Sequence, residues 1–268
     1  VSRPSRLVLV GHPVAHSLSP LIHNAALRAA GIPLEYTVMD VLPEQLRATL
    51  KSLRAEGAAG NITIPHKQSV FSICDHVTNV AERSEAVNTF WVQDGALIGD
   101  NTDVAGFDHS ARELLESARA DPPRRVALIG AGGAAAAVAT AVRDWDHAEL
   151  VIWSRNPKQA ESLARRFALA SAETDLLAAV KGADLVINAT SMGMADDTLP
   201  VPISALPRGC PVLDLVYRKG ETEWVRMARN ASHPASDGLP MLVEQAARSF
   251  RRWLGVEPNR EVMWGALN

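Results

Sequence analysis

Apolar residues occur in short runs separated by stretches of helical periodicity, and this alternation predicts strands and helices in turn along the chain. In the first third, Leu7 to Val10, Tyr36 to Val41 and Ile62 to Ile64 read as strands, with helices expected from Pro20 and from Pro43. Ser19 followed by Pro20 reads as a helix start, because a hydroxyl can cap free N–H groups and proline suits the first helical position. Thr63 alternates with two isoleucines, so it is expected on the opposite face of its strand. Val87 to Val92, the turn Gln93-Asp94-Gly95 and Ala96 to Ile98 read as a β-hairpin, followed by a helix over Gly106 to Ser117. The Pro-rich stretch 121–125 then reads as a boundary.

Beyond it, the apolar run Val126 to Ile129 leads into Gly130-Ala131-Gly132-Gly133-Ala134-Ala135 and an alanine-rich helical pattern. Gly130 allows a sharp turn, Gly132 lets the backbone approach a pyrophosphate, and Ala135 is small enough for close helix–strand packing. The helix N-terminus would present N–H groups to phosphate. Glycine and alanine could instead merely fill a tight turn. The following strand Leu150 to Trp153 makes this a βαβ unit, which favours dinucleotide binding. A membrane span is excluded by length and by the early turn, since spanning takes roughly 20 apolar residues. Asn156-Pro157 reads as a second cap-and-proline start, a short helix is expected near Asp175, and Leu185 to Ile187 reads as a buried parallel strand. Val212 to Tyr217, a helix over Glu223 to Asn230 and a long amphipathic helix over Leu239 to Trp253 complete the pattern. That last helix is expected to return to the first domain.

The fold class is therefore α/β: an N-terminal α/β substrate domain over 1–105, a Rossmann-like dinucleotide-binding domain over 106–237, and C-terminal helices over 238–268 packing back on the first. A length of 268 residues suffices for two ordinary domains. The net charge of -3 and the lack of a long basic block argue against nucleic acid and leave small molecules as partners. Cys74 and Cys210 have no paired spacing and are expected to be core thiols, and with no signal peptide in view a reducing cytoplasm is expected.

Polar patches fall at strand ends and turns, where binding groups concentrate: His16 to Pro20, Asn61 to Lys67, Val87 to Thr89 and Asp100 to Asp103. Lys67 is expected at a helix start, where positive charge gains nothing from the helix dipole. The set suits an alcohol–ketone interconversion in which Lys67 carries the proton, Asp103 orients it, and neighbouring polar side chains recognise hydroxyls. Taken singly, Lys67 could be a solvated lysine and Asp103 a helix cap.

Taken together, the motifs Gly11-x-Pro13, His16-Ser17-x-Ser19-Pro20, Asn61-x-Thr63-x-Pro65-x-Lys67, Ala86-Val87-Asn88-Thr89 and Asp100-Asn101-Thr102-Asp103 precede the glycine loop in the chain. Asn188-Ala189-Thr190-Ser191-x-Gly193, Asp214-x-x-Tyr217 and Asp237-Gly238-Leu239-x-Met241-Leu242-Val243-x-Gln245-Ala246 follow it. In this order they resemble the shikimate dehydrogenase family over nearly the whole chain. The resemblance implies reversible NADPH-dependent reduction of 3-dehydroshikimate to shikimate, with Lys67 as proton carrier and Asp103 as its partner. It implies that Ser17, Ser19 and Tyr217 hold the carboxylate and that Thr63, Asn88, Asp103 and Gln245 contact ring hydroxyls. For the cofactor it implies Gly130, Ala131, Gly132, Gly133 and Ala134, the segment Ser154, Arg155, Asn156 and Lys158, and Thr190, Leu215 and Gly238. It also implies a cleft between the two domains.

The family's usual Asn-Arg-Thr is Ser154-Arg155-Asn156 here, and a later arginine is replaced by Gln159 beside Lys158. Glu149 stands at the wrong end of its strand to select a free ribose hydroxyl, whereas Arg155 and Lys158 favour a 2'-phosphate, so NADP is expected over NAD. His12, His16 and His23 lack a carboxylate cluster, so no metal is expected, and His16 is expected to fix the serine loop by hydrogen bonds. Trp253 and Trp264 are expected in interdomain packing. The alternatives are a quinate or aminoshikimate dehydrogenase, or a non-catalytic ligand sensor on the same fold. A monomer or homodimer fits either reading.

Overall fold

The computed structural model describes residues 3–218 and 220–267, which form two compact units: 1–106 with 242–268, and 107–241. The chain passes between them inside two helices, after Gly106 and after Met241. The Pro-rich stretch 121–125 lies within the second unit, leading into its first strand.

The first unit contains β1 (Leu7–Gly11), α1 (Ser19–Ala29), β2 (Tyr36–Asp40), α2 (Leu46–Ala55), β3 (Ala59–Ile62), α3 (Lys67–Phe71) and β4 (His76–Val77). It continues through α4 (Asn79–Ser84), β5 (Thr89–Gln93), β6 (Ala96–Asp100) and the start of α5 (Asp103–Ala118). Its sheet has the order β2-β1-β3-β5-β6-β4. Strands β1, β2 and β3 are parallel, while β5 runs antiparallel to β3 and to β6. The hairpin between β5 and β6 turns at Asp94 and Gly95, both with positive φ, the backbone geometry a two-residue hairpin turn demands. One face of the sheet is sealed by α2, whose Leu46, Leu50 and Leu53 pack with Val8, Ile62 and Phe90. They are spaced for one helical stripe, which is why the segment buries that side.

The second unit adds β7 (Arg125–Ile129), α6 (Gly133–Val142), β8 (Glu149–Trp153), α7 (Pro157–Ala164), β9 (Ala170–Glu173), α8 (Leu176–Val180) and β10 (Leu185–Asn188). After these come β11 (Val212–Asp214), α9 (Glu223–Asn230), β12 (Ala235–Ser236) and the first turn of α10 (Leu239–Leu254). The sheet is parallel throughout, in the order β12-β11-β10-β7-β8-β9. Strand order therefore reverses between β7 and β10, the arrangement that opens a ligand crevice at the carboxyl ends of those two strands. The remainder of α10 and α11 (Arg260–Gly265) belong to the first unit, where α11 packs on α1. Among the described residues no helix is long and apolar enough to cross a membrane.

Several local expectations change. The strand expected over Ile62 to Ile64 ends at Ile62, and Ile64 is 56% exposed in the turn that follows. The alternation was read one turn too far, because Thr63 and His66 already close a turn through the His66 N–H and the Thr63 carbonyl. Ser19 is not a cap: Leu18 holds that position, and the Ser17 hydroxyl accepts the Ser19 N–H instead. Asn156 does stand at the cap of α7, yet its side chain makes no capping bond; its N–H donates to the Ser154 hydroxyl. The run Val212 to Tyr217 is strand only as far as Asp214. His16 is exposed and hydrogen-bonded to none of the described residues.

Trp253 is buried among residues of the first unit, and its Nε1 donates to the Thr89 hydroxyl at 3.0 Å. It sits 5.1 Å from the His23 ring, which stacks on Tyr36 at 4.3 Å. His23 is fully buried, and burial pushes its imidazole from the ordinary 6.5 down to about 3. The unfolded chain therefore takes up this proton first as pH falls. The stability tied to neutral His23 is complete above about pH 6.5 and is lost progressively toward pH 3. His23→Phe keeps an aromatic ring in the stack and removes the titration. Thermal unfolding followed from about pH 7 to about pH 4 should show a clearly shallower loss of melting temperature in the variant. The same slope in both proteins would rule His23 out as a source of acid sensitivity.

Candidate active site

Strand register gathers the polar patches of the first unit at one end of its sheet. Asn61 near the end of β3 pairs with Thr89 at the start of β5, and Thr89 pairs with Asp100 at the end of β6. Whatever follows β3, precedes β5 or follows β6 therefore emerges at the same edge. Lys67, Asn88 and Asp103 are those residues. Ser17 and Ser19 follow β1, which runs parallel to β3 beside it, so they leave the sheet in the same direction.

Lys67 is the first residue of α3 and Asp103 the first of α5. The Lys67 ammonium donates to Asp103 Oδ2 at 2.5 Å, with side chains 14% and 7% exposed, so neither group is a solvated surface charge. The Asp103 N–H at the start of α5 donates to Asn101 Oδ1 at 3.1 Å. The carboxylate at the start of a sixteen-residue helix is favourably placed against the helix dipole and neutralises a lysine that its own helix start disfavours. Asn88 Nδ2 donates to the other oxygen, Oδ1, at 2.8 Å and lies 3.3 Å from Gln245 Oε1. Asn88 and Gln245 are themselves buried. Direct bonds thus join Lys67, Asp103, Asn88 and Gln245 into one cluster.

Ser17 and Ser19 are joined to each other rather than to that cluster, and Ser19 is buried while Ser17 is half-buried. Thr63 is half-buried and donates its N–H to the Val10 carbonyl at 2.9 Å, which sets it beside the end of β1. Tyr217 belongs to the second unit, half-buried at the end of the segment after β11.

In the second unit the glycine loop leaves β7 at the point where strand order reverses. Gly130 has φ 120, and a Cβ there would stand 2.9 Å from the Ala189 carbonyl oxygen, so only glycine permits this approach of the two loops. At Gly132 the space a Cβ would take is open, with no atom within 4 Å. The first N–H groups of α6 have no acceptor inside the helix, and the open approach at Gly132 leaves them accessible to a phosphate. Gly238 is also obligatory, because a Cβ would come within 2.3 Å of the Leu215 carbonyl oxygen. Arg155 and Lys158, just past the end of β8, are exposed and bonded to none of the described residues. Loop backbone, helix start and free cations together fit a phosphorylated dinucleotide.

Asp214, at the end of β11, stands in the sequence only as the first residue of the motif ending at Tyr217, with no role expected of it. Its Oδ1 accepts from Asn188 Nδ2 at 2.8 Å and from the Val216 N–H at 3.1 Å, and its Oδ2 from the Thr222 hydroxyl at 2.7 Å. Asn188 in turn accepts from the Thr190 N–H and hydroxyl. One buried carboxylate so ties the Thr190 loop to the segment carrying Leu215 and Tyr217. Burial pushes its pKa up to about 6 despite those bonds. Also missed were Asn61, Thr102 and Ser249, buried polar residues next to the Lys67 cluster. Asn61 and Thr102 lay within recognised motifs, but Ser249 sits in the apolar pattern of α10 and carried no signal.

The three histidines do not converge: His12 Nδ1 pairs with Asp40 at 2.6 Å, His23 is enclosed in the aromatic stack, and His16 is exposed. Among the described residues no group of His, Cys, Asp and Glu could hold a metal ion.

Residues 9–90 match the family model of the shikimate dehydrogenase substrate binding domain, and 238–267 that of the shikimate 5'-dehydrogenase C-terminal domain. Residues 125–216 match the model described as NADP oxidoreductase coenzyme F420-dependent. A shikimate dehydrogenase (NADP(+)) of Rubrobacter xylanophilus is 44% identical, covering 97% of this chain and 94% of its own. Among solved structures, shikimate 5-dehydrogenase from Thermus thermophilus in complex with NADP(H) and shikimate aligns with TM-score 0.87 at 37% identity, covering 98% of each chain. Quinate dehydrogenase from Corynebacterium glutamicum in complex with NAD aligns with TM-score 0.87 at 31% identity, covering 97% of each chain. With relatives this similar over nearly its full length, the chain belongs to the shikimate dehydrogenase family.

Proposed function

We propose that this protein is an NADP-dependent shikimate dehydrogenase that interconverts 3-dehydroshikimate and shikimate, with Lys67 as the proton carrier and Asp103 as its partner. The observation that carries the reading is the buried Lys67–Asp103 pair flanked by Asn88 and Gln245. A non-catalytic sensor needs groups that bind hydroxyls, but it has no use for an ammonium held beside a carboxylate in a nearly dry site. A bound nicotinamide supplies hydride transfer. Lys67 delivers a proton to the carbonyl oxygen during reduction and takes it from the hydroxyl during oxidation, while Asp103 holds the lysine in place and accepts from a neighbouring substrate hydroxyl. Thr63, Asn88 and Gln245 supply the remaining ring contacts, and Ser17, Ser19 and Tyr217 hold the carboxylate.

In this reading 1–105 is the substrate domain, 106–237 the NADP-binding domain and 238–268 the helices that complete the first. Gly130, Ala131, Gly132, Gly133 and Ala134 cradle the pyrophosphate, with Ser154 and Asn156 shaping the turn beside the ribose. Arg155 and Lys158 take the 2'-phosphate, and Thr190, Leu215 and Gly238 border the nicotinamide. The protein works in a reducing cytoplasm as a monomer or homodimer. Both cysteines are free, and burial pushes each thiol up to about 12, which leaves them inert at neutral pH.

Reduced-nicotinamide absorbance with shikimate or quinate and with each cofactor tests the assignment. Shikimate with NADP should turn over fastest, and a clear preference for quinate or no turnover would overturn it. Lys67→Ala should lower kcat by roughly 10²- to 10⁴-fold while calorimetry still detects shikimate binding. A loss below about tenfold would remove Lys67 from proton transfer.

Replacing Ser17 and Ser19 together by alanine should weaken shikimate binding by about 1.5 to 3 kcal/mol per charge-assisted bond at most, with the two effects not additive. Unchanged affinity in the folded variant would leave Ser17 with only its bond to the Ser19 N–H.

Arg155→Ala should raise KM for NADP far more than for NAD, because guanidinium binds phosphate through two parallel hydrogen bonds, while saturated kcat stays near wild type. Adding Lys158→Ala should widen the change. An unchanged NADP-to-NAD ratio of kcat/KM in both variants would remove the 2'-phosphate site from this strand end.

A further inference from the structure

Behind Asp103 runs a line of buried hydroxyls and amides that the proton-transfer reading does not use. The Tyr36 hydroxyl donates to Asn61 Oδ1 at 2.8 Å, which leaves Asn61 Nδ2 to donate to the Asn88 carbonyl at 3.1 Å and to Ser249 Oγ at 3.0 Å. Ser249 Oγ lies 3.0 Å from Thr102 Oγ1, which lies 3.1 Å from Asn88 Oδ1. Asn88 Nδ2 then reaches Asp103 Oδ1 at 2.8 Å. Ser249 is wholly buried on α10, one helical turn beyond Gln245.

Both ends of this line have their polarity set. Asn88 Oδ1 accepts the Thr102 N–H at 2.7 Å, so the amide must turn its NH₂ toward Asp103, whose ionised carboxylate can only accept. Asn61 is oriented by the Tyr36 hydroxyl on one side and the Asn88 carbonyl on the other. Ser249 accepts from Asn61 and shares a hydrogen bond with the Thr102 hydroxyl, which in turn meets the Asn88 amide. Asn88 Nδ2 also donates to Thr102 Oγ1 at 3.0 Å, so Thr102 and Asn88 are bonded to each other more than once behind Asp103, an arrangement in which successive bonds polarise one another. Ser249 is the member that joins the Asn61 side of the line to the Thr102 side. Without its hydroxyl, Asn61 Nδ2 and Thr102 Oγ1 lose their shared partner.

We infer that Ser249 is a positioning residue: by bridging Asn61 and Thr102 it orders the hydrogen-bond chain that fixes Asn88, and through Asn88 the orientation of Asp103 against Lys67. This rests on the reading of Lys67 and Asp103 as the proton-handling pair.

The test compares Ser249→Ala with Thr89→Val. Thr89 is a buried hydroxyl that also contacts α10, accepting from Trp253 Nε1 at 3.0 Å and donating to the Gly60 carbonyl at 3.1 Å, but it stands outside the chain. Ser249→Ala should lower kcat for shikimate oxidation about tenfold, the scale of one lost buried hydrogen bond combined with a misplaced reacting group, with KM for NADP unchanged. In ¹⁵N–¹H spectra the Asn88 side-chain amide resonances, identified by their loss in Asn88→Ala, should move in Ser249→Ala. Thr89→Val should lower the melting temperature yet leave kcat and those resonances in place. Wild-type kcat in Ser249→Ala, unmoved Asn88 resonances, or equal effects from Thr89→Val would each overturn the inference. If Ser249→Ala does not fold, Thr102→Val interrupts the same chain and is read by the same two measurements. If the wild-type protein does not oxidise shikimate, the functional reading fails, while the Asn88 resonances still decide whether Ser249 orders the chain.

Discussion

An ionised carboxylate at Asp103, only 7% exposed, is the constraint around which the first unit is arranged. Removing a charge from water costs several kcal/mol unless partners replace the lost hydration. Lys67 takes one oxygen and Asn88 the other, and the start of α5 adds its favourable dipole. Each partner then has to be placed in turn. Lys67 is set by the turn that ends β3, and Asn88 by the start of β5 together with Thr102 and Gln245. A sheet that mixes parallel and antiparallel strands suits this need, because the end of β3, the start of β5 and the end of β6 all open at one edge.

The second unit meets a different requirement with a parallel sheet. Reversal of strand order between β7 and β10 opens the space that a dinucleotide needs, and the loops on either side must approach closely without side chains in the way. Gly130 against Ala189 and Gly238 against Leu215 are the two positions where the backbone itself forms the contact. Asp214 and Asn188 then lock the loops after β10 and β11 together below the surface. The burial that raises the Asp214 pKa is the cost of setting two loops with one side chain, and the bonds from Asn188, Val216 and Thr222 offset part of it.

The buried polar groups near Asp103 are bonded to one another, and His23 is held differently. The amides and hydroxyls near Asp103 find partners through helix α10, which carries Gln245, Ser249 and Trp253 on its inner side. Among the described residues neither His23 ring nitrogen meets the geometry of a hydrogen bond, and its binding to the core is carried by stacking on Tyr36. Such a ring is tolerated while neutral, which makes it a weak point in acid and not at neutral pH.

Much of this was legible in the sequence for definite reasons. The α/β alternation, the hairpin turn at Asp94 and Gly95 and the glycine loop after β7 depend on local backbone chemistry, which a short stretch of residues determines by itself. Ordered motifs were enough to point to the family and to single out Lys67, Asn88, Asp103 and Gln245. Only the tertiary structure decided what those residues touch. Lys67 and Asp103 each looked ordinary alone, as a helix-start lysine and a cap, and their pairing depends on strand register that no local pattern carries. Ser19 lost its expected capping role because the helix starts one residue earlier, and the alternation at Ile64 ended because a turn had already begun. Ser249 was silent, and Asp214 had a motif position but no role, because a buried polar residue within an apolar stripe declares its partners only when they are brought to it.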